Sequence, residues 1–494
     1  MNLKTISRNV GYALLVDALF MFLSLLVSVA DGHDSAMYGL ATSFVITFIV
    51  GAFPFIFVRR TPRITLKEGY MIVVLSWLLS FIFGMMPFIL WDEDMSVADA
   101  WFESVSGFTT TGATIFSSVE SLPRSLLFWR SSTHFIGGLG VSVFLLLVIP
   151  GSSPVKMRLA NMELSSLSKM GYNTHVTKTA YMFAGVYIGL LVAAFIAYLL
   201  VGMGPFDAIN HAMSVCATGG FSTRDMSIGS FDSRAVEAVT MLFMILGSLH
   251  FGLIYIAVTN IWVSGAFQPF KAVKVFNNPV VKFYLGMLAL VAFLAALPLL
   301  HTHVEGSFGR TLWTSAFQTI CMASTTGFAI ADNAQWPLIS NVIIMFAAIT
   351  CGCAGSTTGG LKSDRMMILI KSVGCRIRHT LNPSIVDEVR IGDRQMRDED
   401  VAPHIIYVAL FAVIIFISTA LAIAFGADAQ DALSGSIASI SNVGPAIGDI
   451  GSMGNFGGLN AGTKFLFTID MFLGRVEIYP LLAVLAMLFS RNRK

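Results

Sequence analysis

Residues Ala323 to Asp332 read A-S-T-T-G-F-A-I-A-D, a Thr-Thr-Gly loop set between two long apolar segments. Near relatives of it occur three more times: Gly112 stands in F-T-T-T-G-A-T, Gly220 in C-A-T-G-G-F-S-T and Gly444 in I-S-N-V-G-P-A. Aligned on these four glycines, the loops are 108, 107 and 117 residues apart. The neighbours agree as well. Thirteen residues before each glycine stand Asp99, Asp207, Thr314 and Asp431, residue types that favour a helix N-cap. The next position is always small: Ala100, Ala208, Ser315 and Ala432. Seven before the glycine come the apolar Val105, Met213, Ile320 and Ile437, and six before it the small Ser106, Ser214, Cys321 and Ala438. Each loop is therefore expected to follow a capped helix of about three turns, too short to cross a bilayer.

The chain around these loops is apolar. Of its 494 residues 55% are hydrophobic and only 12% charged, with a mean hydropathy of +0.75, far from the composition of soluble domains. A span needs about 20 apolar residues, and ten candidates are found near 10–30, 37–58, 70–91, 126–149, 179–201, 235–263, 281–300, 338–361, 404–425 and 465–489. Their lengths favour helices over barrel strands. The first could be mistaken for a signal peptide, because Lys4 and Arg8 precede it and Ser28-Val29-Ala30 resembles a cleavage site. The stretch is longer than a usual signal core and Asp17 interrupts it, so a span is the better reading.

Lys and Arg favour loops that stay cytoplasmic. With the N-terminus inside, the N-terminus, 59–69, 150–178, 264–280 with Lys282, 362–403 and the C-terminus hold 24 of the 31 basic residues. The outer loops keep Arg124, Arg224, Arg234, Arg310 and Lys464, and Arg130 and Arg475 fall inside spans. Both termini are thus expected on the cytoplasmic side of a multi-pass membrane protein. The net charge of +2 adds nothing further, and no feature points to nucleic acid. Cys216, Cys321, Cys351, Cys353 and Cys375 imply no disulfide framework; Cys351-Gly-Cys353 is a poor zinc site with only two thiols and is read as packing.

Each short helix lies between two full spans on the outer side. The unit of span, short re-entrant helix, loop and span occurs four times, at 70–149, 179–263, 281–361 and 404–489. Non-helical backbone at membrane depth is tolerated where protein buries it or where it lines a watery cavity, and four quasi-equivalent loops can meet around one axis. The expected fold is an all-α integral membrane protein with four tandem repeats around one pseudo-fourfold pore, plus two extra N-terminal transmembrane helices. By segment this gives the helix pair at 1–69 and repeats at 70–178, 179–280, 281–403 and 404–494.

A dehydrated cation needs oxygen ligands, which a ring of backbone carbonyls can supply. Glycine allows the necessary backbone conformations, and threonine adds a hydroxyl without charge. The C-terminal ends of the short helices carry partial negative charge toward the centre. Before each glycine stand Thr111, Gly219, Thr326 and Val443 rather than the carboxylates of a divalent-selective pore. The residues by themselves therefore support a monovalent cation, potassium or sodium.

The four single-glycine loops T-T-T-G-A-T, A-T-G-G-F-S-T, S-T-T-G-F and S-N-V-G-P on a repeated scaffold resemble the Trk/Ktr/HKT superfamily of potassium transporters, in its TrkH-type branch. The resemblance covers 70–489, and the extra pair of spans fits it too. It implies potassium as the transported ion and filter carbonyls from Gly112, Gly220, Gly327 and Gly444, helped by Thr110, Thr111, Thr218, Thr325, Thr326 and Asn442. Potassium would be held around Thr111, Gly112, Thr218, Gly219, Thr325, Thr326, Asn442 and Val443. Gly219 competes with Gly220 for the filter role in the second loop, and Val443 and Pro445 make the fourth loop atypical. The resemblance further implies a homodimer and a cytoplasmic, nucleotide-binding TrkA-type regulatory ring. This chain has no phosphate-binding G-x-x-x-x-G-K-[ST] loop and no dinucleotide fingerprint, so nucleotide control would come from that partner.

Below the third loop, C-G-C-A-G-S-T-T-G-G at 351–360 is too rich in weak helix formers to continue a helix comfortably. Gly352, Gly355, Ser356, Thr357, Thr358, Gly359 and Gly360 are read as an interrupted helix and a gate, where the superfamily resemblance also places an intramembrane gating loop; close packing through small residues is the alternative. Arg475, in G-R-V-E of the last span, is read as a cation facing the pore below the filter, with a structural ion pair as the alternative. His134 and His250 are read as packing or hydrogen-bonding residues. The segment 362–403 has eight basic residues interspersed with carboxylates, which fits a docking loop about as well as a merely solvated one. An ion-coupled secondary symporter is the second functional reading, disfavoured because the repeats run parallel. An intramembrane enzyme is disfavoured because the polar residues recur as equivalents and do not converge on one reacting centre.

Overall fold

The computed structural model describes residues 2–58, 65–140, 176–263, 266–267, 274–304, 306–384, 388–392 and 394–490. The part of span 126–149 beyond Gly140, the stretches 59–64 and 150–175 and the tail 491–494 lie outside the described residues, as do Asp387 and Asp393 of the expected docking loop.

Two N-terminal helices, α1 (Leu3–Ala30) and α2 (Met37–Phe57), form an antiparallel pair. They approach closely because glycines face each other: a Cβ on Gly11 would lie within 3.0 Å of the Gly51 carbonyl oxygen. The pair docks on α3 (Leu66–Trp91), where Ser80 Oγ donates to the buried Asp17 at 2.6 Å. A carboxylate in a membrane helix is costly unless it faces protein and finds a partner, which accounts for its inward side.

Repeat 1 is α3, the short α4 (Val97–Phe108) and α5 (Arg124–Leu139). Repeat 2 is α6 (Val176–Leu200), the short α7 (Pro205–Ala217), α8 (Arg234–Ser248) and α9 (Phe251–Ile261). Repeat 3 is α10 (Pro279–Thr302), the short α11 (Phe308–Ala323), α12 (Leu338–Ile349) and α13 (Ser363–Leu381). Repeat 4 is α14 (Asp398–Ala424), the short α15 (Ala429–Ser441), α16 (Ala461–Arg475) and α17 (Tyr479–Ser490). The fold is the all-α membrane architecture that the repeated loops imply.

Three expectations need correction. First, Asp99, Asp207, Thr314 and Asp431 do not cap the short helices. The caps are Ser96, Gly204, Ser307 and Asp428, so the three carboxylates sit in the first turn, where the helix dipole favours them, and Thr314 lies mid-helix. Ser96 Oγ accepts from Asp99 N at 3.1 Å, and Pro205 opens α7 at a position that lacks a partner for an N–H in any case. Second, the spans 235–263 and 465–489 are not continuous. Helices α8 and α9 meet at 109°, and α16 and α17 are separated at 476–478, where Glu477 and Ile478 have φ of 59° and 51°. Third, the loop expected at 362–403 contains a helix at Ser363–Leu381 and an antiparallel pairing of Val389–Ile391 with Arg394–Met396. The interruption expected in the third repeat is observed: 350–362 is non-helical, with Thr350 and Cys351 paired in parallel to Leu361 and Lys362.

Glycines also set the packing of short helices on second spans. A Cβ on Gly137 of α5 would fall within 3.0 Å of the Phe108 carbonyl at the end of α4, whereas one on Gly185 of α6 would meet nothing within 4 Å. Gly137→Ala is therefore expected to lower the thermal midpoint of the purified protein, by the equivalent of about 1–3 kcal/mol. Gly185→Ala should leave it unchanged or raise it slightly; equal effects of the two substitutions would contradict this packing.

Candidate functional site: a ring of four Thr/Asn-x-Gly loops

Each short helix ends in the same way. The N–H groups of Thr111, Gly219, Thr326 and Val443 donate to the carbonyls of Ser106, Ser214, Cys321 and Ala438, at 2.9, 2.9, 3.0 and 3.0 Å. Those of Thr110, Thr218, Thr325 and Asn442 donate to Gly107, Val215, Met322 and Ser439, at 3.0, 3.2, 3.1 and 3.1 Å. This double closure is the Schellman helix end. Its left-handed residue is usually glycine; here it is Thr110, Thr218, Thr325 or Asn442, with φ of 54° to 56°. A β-branched residue in this region is strained, by about 1–3 kcal/mol. Two residues on, Gly112, Gly220, Gly327 and Gly444 have φ of 78° to 86°. The small residues six before each glycine thus mark the turn: their carbonyls close it, and two of their side chains hold the chain just past the glycine. Ser106 Oγ donates to Ala113 O at 2.5 Å and Cys321 Sγ to Phe328 O at 2.8 Å.

The loops close on one another in chain order. A Cβ on Gly112 would lie within 3.0 Å of the Gly219 carbonyl oxygen, one on Gly220 against that of Thr326, one on Gly327 against that of Val443, and one on Gly444 against that of Thr111. Each repeat therefore offers its glycine to the carbonyl of the next, and the fourth returns to the first. All four glycines line one vestibule. Only glycine fits at these four places, because the obstacle is backbone.

Around the vestibule the loops are clamped pairwise. Asp225 accepts from Ser118 Oγ (2.8 Å) and Val119 N (2.6 Å), joining loops 2 and 1. Gly229 N donates to Ala329 O at 3.0 Å between loops 2 and 3. Between loops 3 and 4, Asn333 Oδ1 accepts from Ser452 N (2.9 Å) and Asn333 Nδ2 donates to Ala446 O (3.1 Å). Phe456 N donates to Thr114 O at 2.8 Å between loops 4 and 1. At the rim, burial opposes ionisation of Asp207, but hydrogen bonds from Thr223 and Arg224 outweigh it and hold the carboxyl below its ordinary value.

Of Gly219 and Gly220, only Gly220 shares the backbone conformation of the other three loop glycines, a positive φ, and Gly219 occupies the place of Thr111, Thr326 and Val443. A side chain at 219 would strike the imidazole of His134, whose Nδ1 lies 3.1 Å from Ser214 Oγ and whose ring stacks on Phe221 at 4.1 Å. His134 is therefore a packing residue that requires glycine at 219. His250 accepts from Gly252 N at 2.9 Å and caps the start of α9.

On the side away from the vestibule, the 350–362 segment lies directly under the ring. Gly359 N donates to Thr325 Oγ1 at 3.1 Å, and Thr218 Oγ1 lies 3.4 Å from Thr357 Oγ1. A Cβ on Gly359 would meet Asn442, and one on Gly360 would meet Cys351. The segment is stitched to the break between α8 and α9: Cys353 N donates to Ser248 O (2.8 Å), Thr357 Oγ1 to Gly247 O (3.1 Å), and Phe251 N to Gly355 O (3.0 Å). Gly352 packs on Ser248, and Ser356 Oγ bonds to Cys353 O and lies 2.8 Å from Thr358 Oγ1. Lys362 Nζ donates to Thr358 O. Arg475, at the end of α16, reaches across: Nη1 donates to Thr357 O at 2.7 Å and Nη2 to Gly137 O at 2.6 Å and Gly138 O at 3.1 Å. Its guanidinium thus joins repeats 4, 3 and 1 through carbonyls, and the neighbouring Glu477 pairs with Arg365 at 2.7 Å.

Sequence reading gave no role to Arg130 and did not single out Glu103. They form a buried ion pair at 2.8 Å beside loops 1 and 2. The signal was present, since Arg130 is a charge within an apolar span and such a residue needs a partner.

Comparison with known proteins gives the family of this fold. The family model described as TrkH, cation transport protein, matches residues 39–492. The chain is 31% identical to the Trk system potassium uptake protein TrkH of Vibrio parahaemolyticus and 30% identical to that of Escherichia coli K12, over the whole of each protein. It is 29% identical to the Trk system potassium uptake protein TrkG of Escherichia coli K12, over 99% of both. Its fold superposes on the crystal structure of the potassium transporter TrkH from Vibrio parahaemolyticus with a TM-score of 0.87 at 30% identity, covering 98% of this chain and 99% of the other. Four loops closed into one ring, on a scaffold shared from end to end with these proteins, make the chain a member of the TrkH family of cation transport proteins.

Proposed function

We propose that this protein takes up potassium across the bacterial inner membrane through the ring of four loops, each contributing one glycine to the filter. The observation that carries the proposal is the cyclic close approach of Gly112, Gly220, Gly327 and Gly444 to the carbonyls of residues 219, 326, 443 and 111. It crowds backbone oxygens around one axis with no carboxylate among them, which is the environment that replaces a monovalent cation's hydration shell. The names of the relatives, potassium uptake proteins along their full length, favour potassium over sodium. Thr110, Thr111, Thr218, Thr325, Thr326 and Asn442 line and brace this ring, and potassium sits at the level of residues 111, 112, 218, 219, 325, 326, 442 and 443.

The segment Gly352–Gly360 is the gate in this reading. Its backbone lies under the ring, and its contacts with Thr218, Thr325 and Arg475 are single hydrogen bonds that a displacement could exchange. Arg475 keeps it closed by bonding Thr357 O and adds a positive charge on the cation's path. Both termini face the cytoplasm, in keeping with the placement of Lys and Arg. That side then carries α13, whose last turn holds Arg378 and His379, as a surface for a TrkA-type regulatory ring; the protein works as a homodimer, and nucleotide acts on the ring rather than on this chain.

Two substitutions test the reading in liposomes containing the purified chain. Gly327→Ser pushes a side chain against the Val443 carbonyl and opens the ring at one place; in the protein that folds it is expected to lower the potassium-to-sodium flux ratio about tenfold or more, and an unchanged ratio in folded protein would remove Gly327 from the filter. Arg475→Ala should raise the potassium flux several-fold, on the order of a 1 kcal/mol change in the barrier. Loss of folded protein without a rise in flux would make Arg475 a structural bridge only.

A further inference from the structure

The position nine residues before the filter glycine is occupied by Glu103, His211, Gln318 and Gly435, and the four behave differently. Glu103, 1% exposed, accepts from Thr114 Oγ1 at 3.1 Å and Ile115 N at 3.0 Å, just beyond Gly112. His211 reaches Ser222 Oγ at 2.9 Å through Nε2, just beyond Gly220. Gln318 Nε2 donates to Ala331 O at 3.1 Å, and Gly435 leaves room for the Phe467 ring. One fold thus accepts an acid, an imidazole, an amide or nothing at this place, so a charge there is not a requirement of folding.

Arg130, 2% exposed, connects the first two. Nε donates to Glu103 Oε1 at 2.8 Å, Nη2 to Thr114 Oγ1 at 3.2 Å and Nη1 to Ser222 O at 3.3 Å. Its guanidinium also lies 4.0 Å from the centroid of Phe221, the residue after Gly220. One side chain therefore holds the continuation of loop 1 and that of loop 2 at once.

Loop 2 is the one that needs such support. Loops 1 and 3 lock themselves with hydroxyl pairs, Thr109 with Thr111 at 2.8 Å and Ser324 with Thr326 at 2.7 Å. Loop 4 ties to loop 1 through Asn442 Nδ2 and Thr111 Oγ1 at 3.1 Å. Loop 2 has Gly219 at the corresponding place and no hydroxyl to use. A buried ion pair is weak evidence of stability in itself, because neutral residues often serve as well; its fixed geometry, in contrast, suits holding two strands of backbone at a set separation.

We propose that Glu103 and Arg130 are positioning residues for selectivity: from behind, they set the distance between loops 1 and 2 at the filter, and neither touches the ion. The proposal rests on the reading of the ring as a potassium filter. Because the pair acts through loop geometry, removing it changes ion discrimination, whereas a pair that only stabilised the fold would leave discrimination intact in the protein that remains folded.

The test compares potassium and sodium flux, and the potassium-over-sodium gain in thermal midpoint, for the purified full chain and its variants in liposomes or detergent. The double variant Glu103→Gln/Arg130→Gln leaves no unpaired buried charge. Thr114→Val removes the hydroxyl shared by the pair and serves if the double variant yields no folded protein. The double variant is expected to lose about tenfold in the potassium-to-sodium flux ratio, equivalent to about 1.4 kcal/mol of discrimination, together with most of the potassium-specific thermal gain. Thr114→Val should lose about threefold. A wild-type ratio in the folded variants, with a thermal midpoint lowered equally in both salts, would overturn the proposal. If the unmodified chain shows no preference for potassium and Gly327→Ser changes nothing, the filter reading itself has failed and the pair falls with it.

Discussion

The structure depends on one steric constraint, the approach of each loop glycine to a backbone carbonyl of the next loop. At Gly112, Gly220, Gly327 and Gly444 a Cβ would strike that carbonyl or its neighbours, so the ring can close only where the side chain is a hydrogen. Everything around it serves this closure. The short helices end in left-handed Thr or Asn residues that turn the chain toward the axis. The four pairwise clamps around the vestibule hold the loops in register. Strain stored at three β-branched threonines persists only because these surroundings overdetermine it.

The second half of each repeat answers a different need. Backbone freed in a membrane must be bonded by protein or water, and the breaks in α8/α9, in 350–362 and in α16/α17 supply one another. Ser248 and Gly247 at the first break accept from Cys353 and Thr357 in the second, and Arg475 at the third donates to Thr357 and to α5. The interruption beneath the ring is therefore a shared hydrogen-bonded assembly of several repeats. In the proposed function this assembly holds the segment across the path, and opening it means exchanging these bonds.

Much of this was legible in the sequence, for physical reasons that differ by residue. The glycine repeat was readable because backbone contact tolerates no substitute, and the small residue six before it because its carbonyl closes the turn. The density of Gly, Ser and Thr at 351–360 announced a broken helix. Three of the caps were misplaced by about one turn because Asp serves at the cap and in the first turn alike, and the one at Thr314 by about two; Ser96, Ser307 and Asp428 were the true signals. The break at 249–250 left little trace, since Leu249-His250 is ordinary within an apolar run, and at 476–478 the charge of Glu477 was the one sign; both are bent by partners distant in sequence. Gly219 could not be ranked against Gly220 without His134, which lies 85 residues away and fills the space that a threonine would need.

The most direct measurement of the central claim is the flux of potassium, rubidium, sodium and lithium into liposomes containing only the purified chain. A ring of four closely opposed carbonyl-bearing loops predicts that potassium and rubidium pass and that sodium and lithium are largely excluded, with no partner needed for the discrimination. Equal passage of all four ions through folded protein would contradict it, because the ring geometry would then not be what the ions encounter.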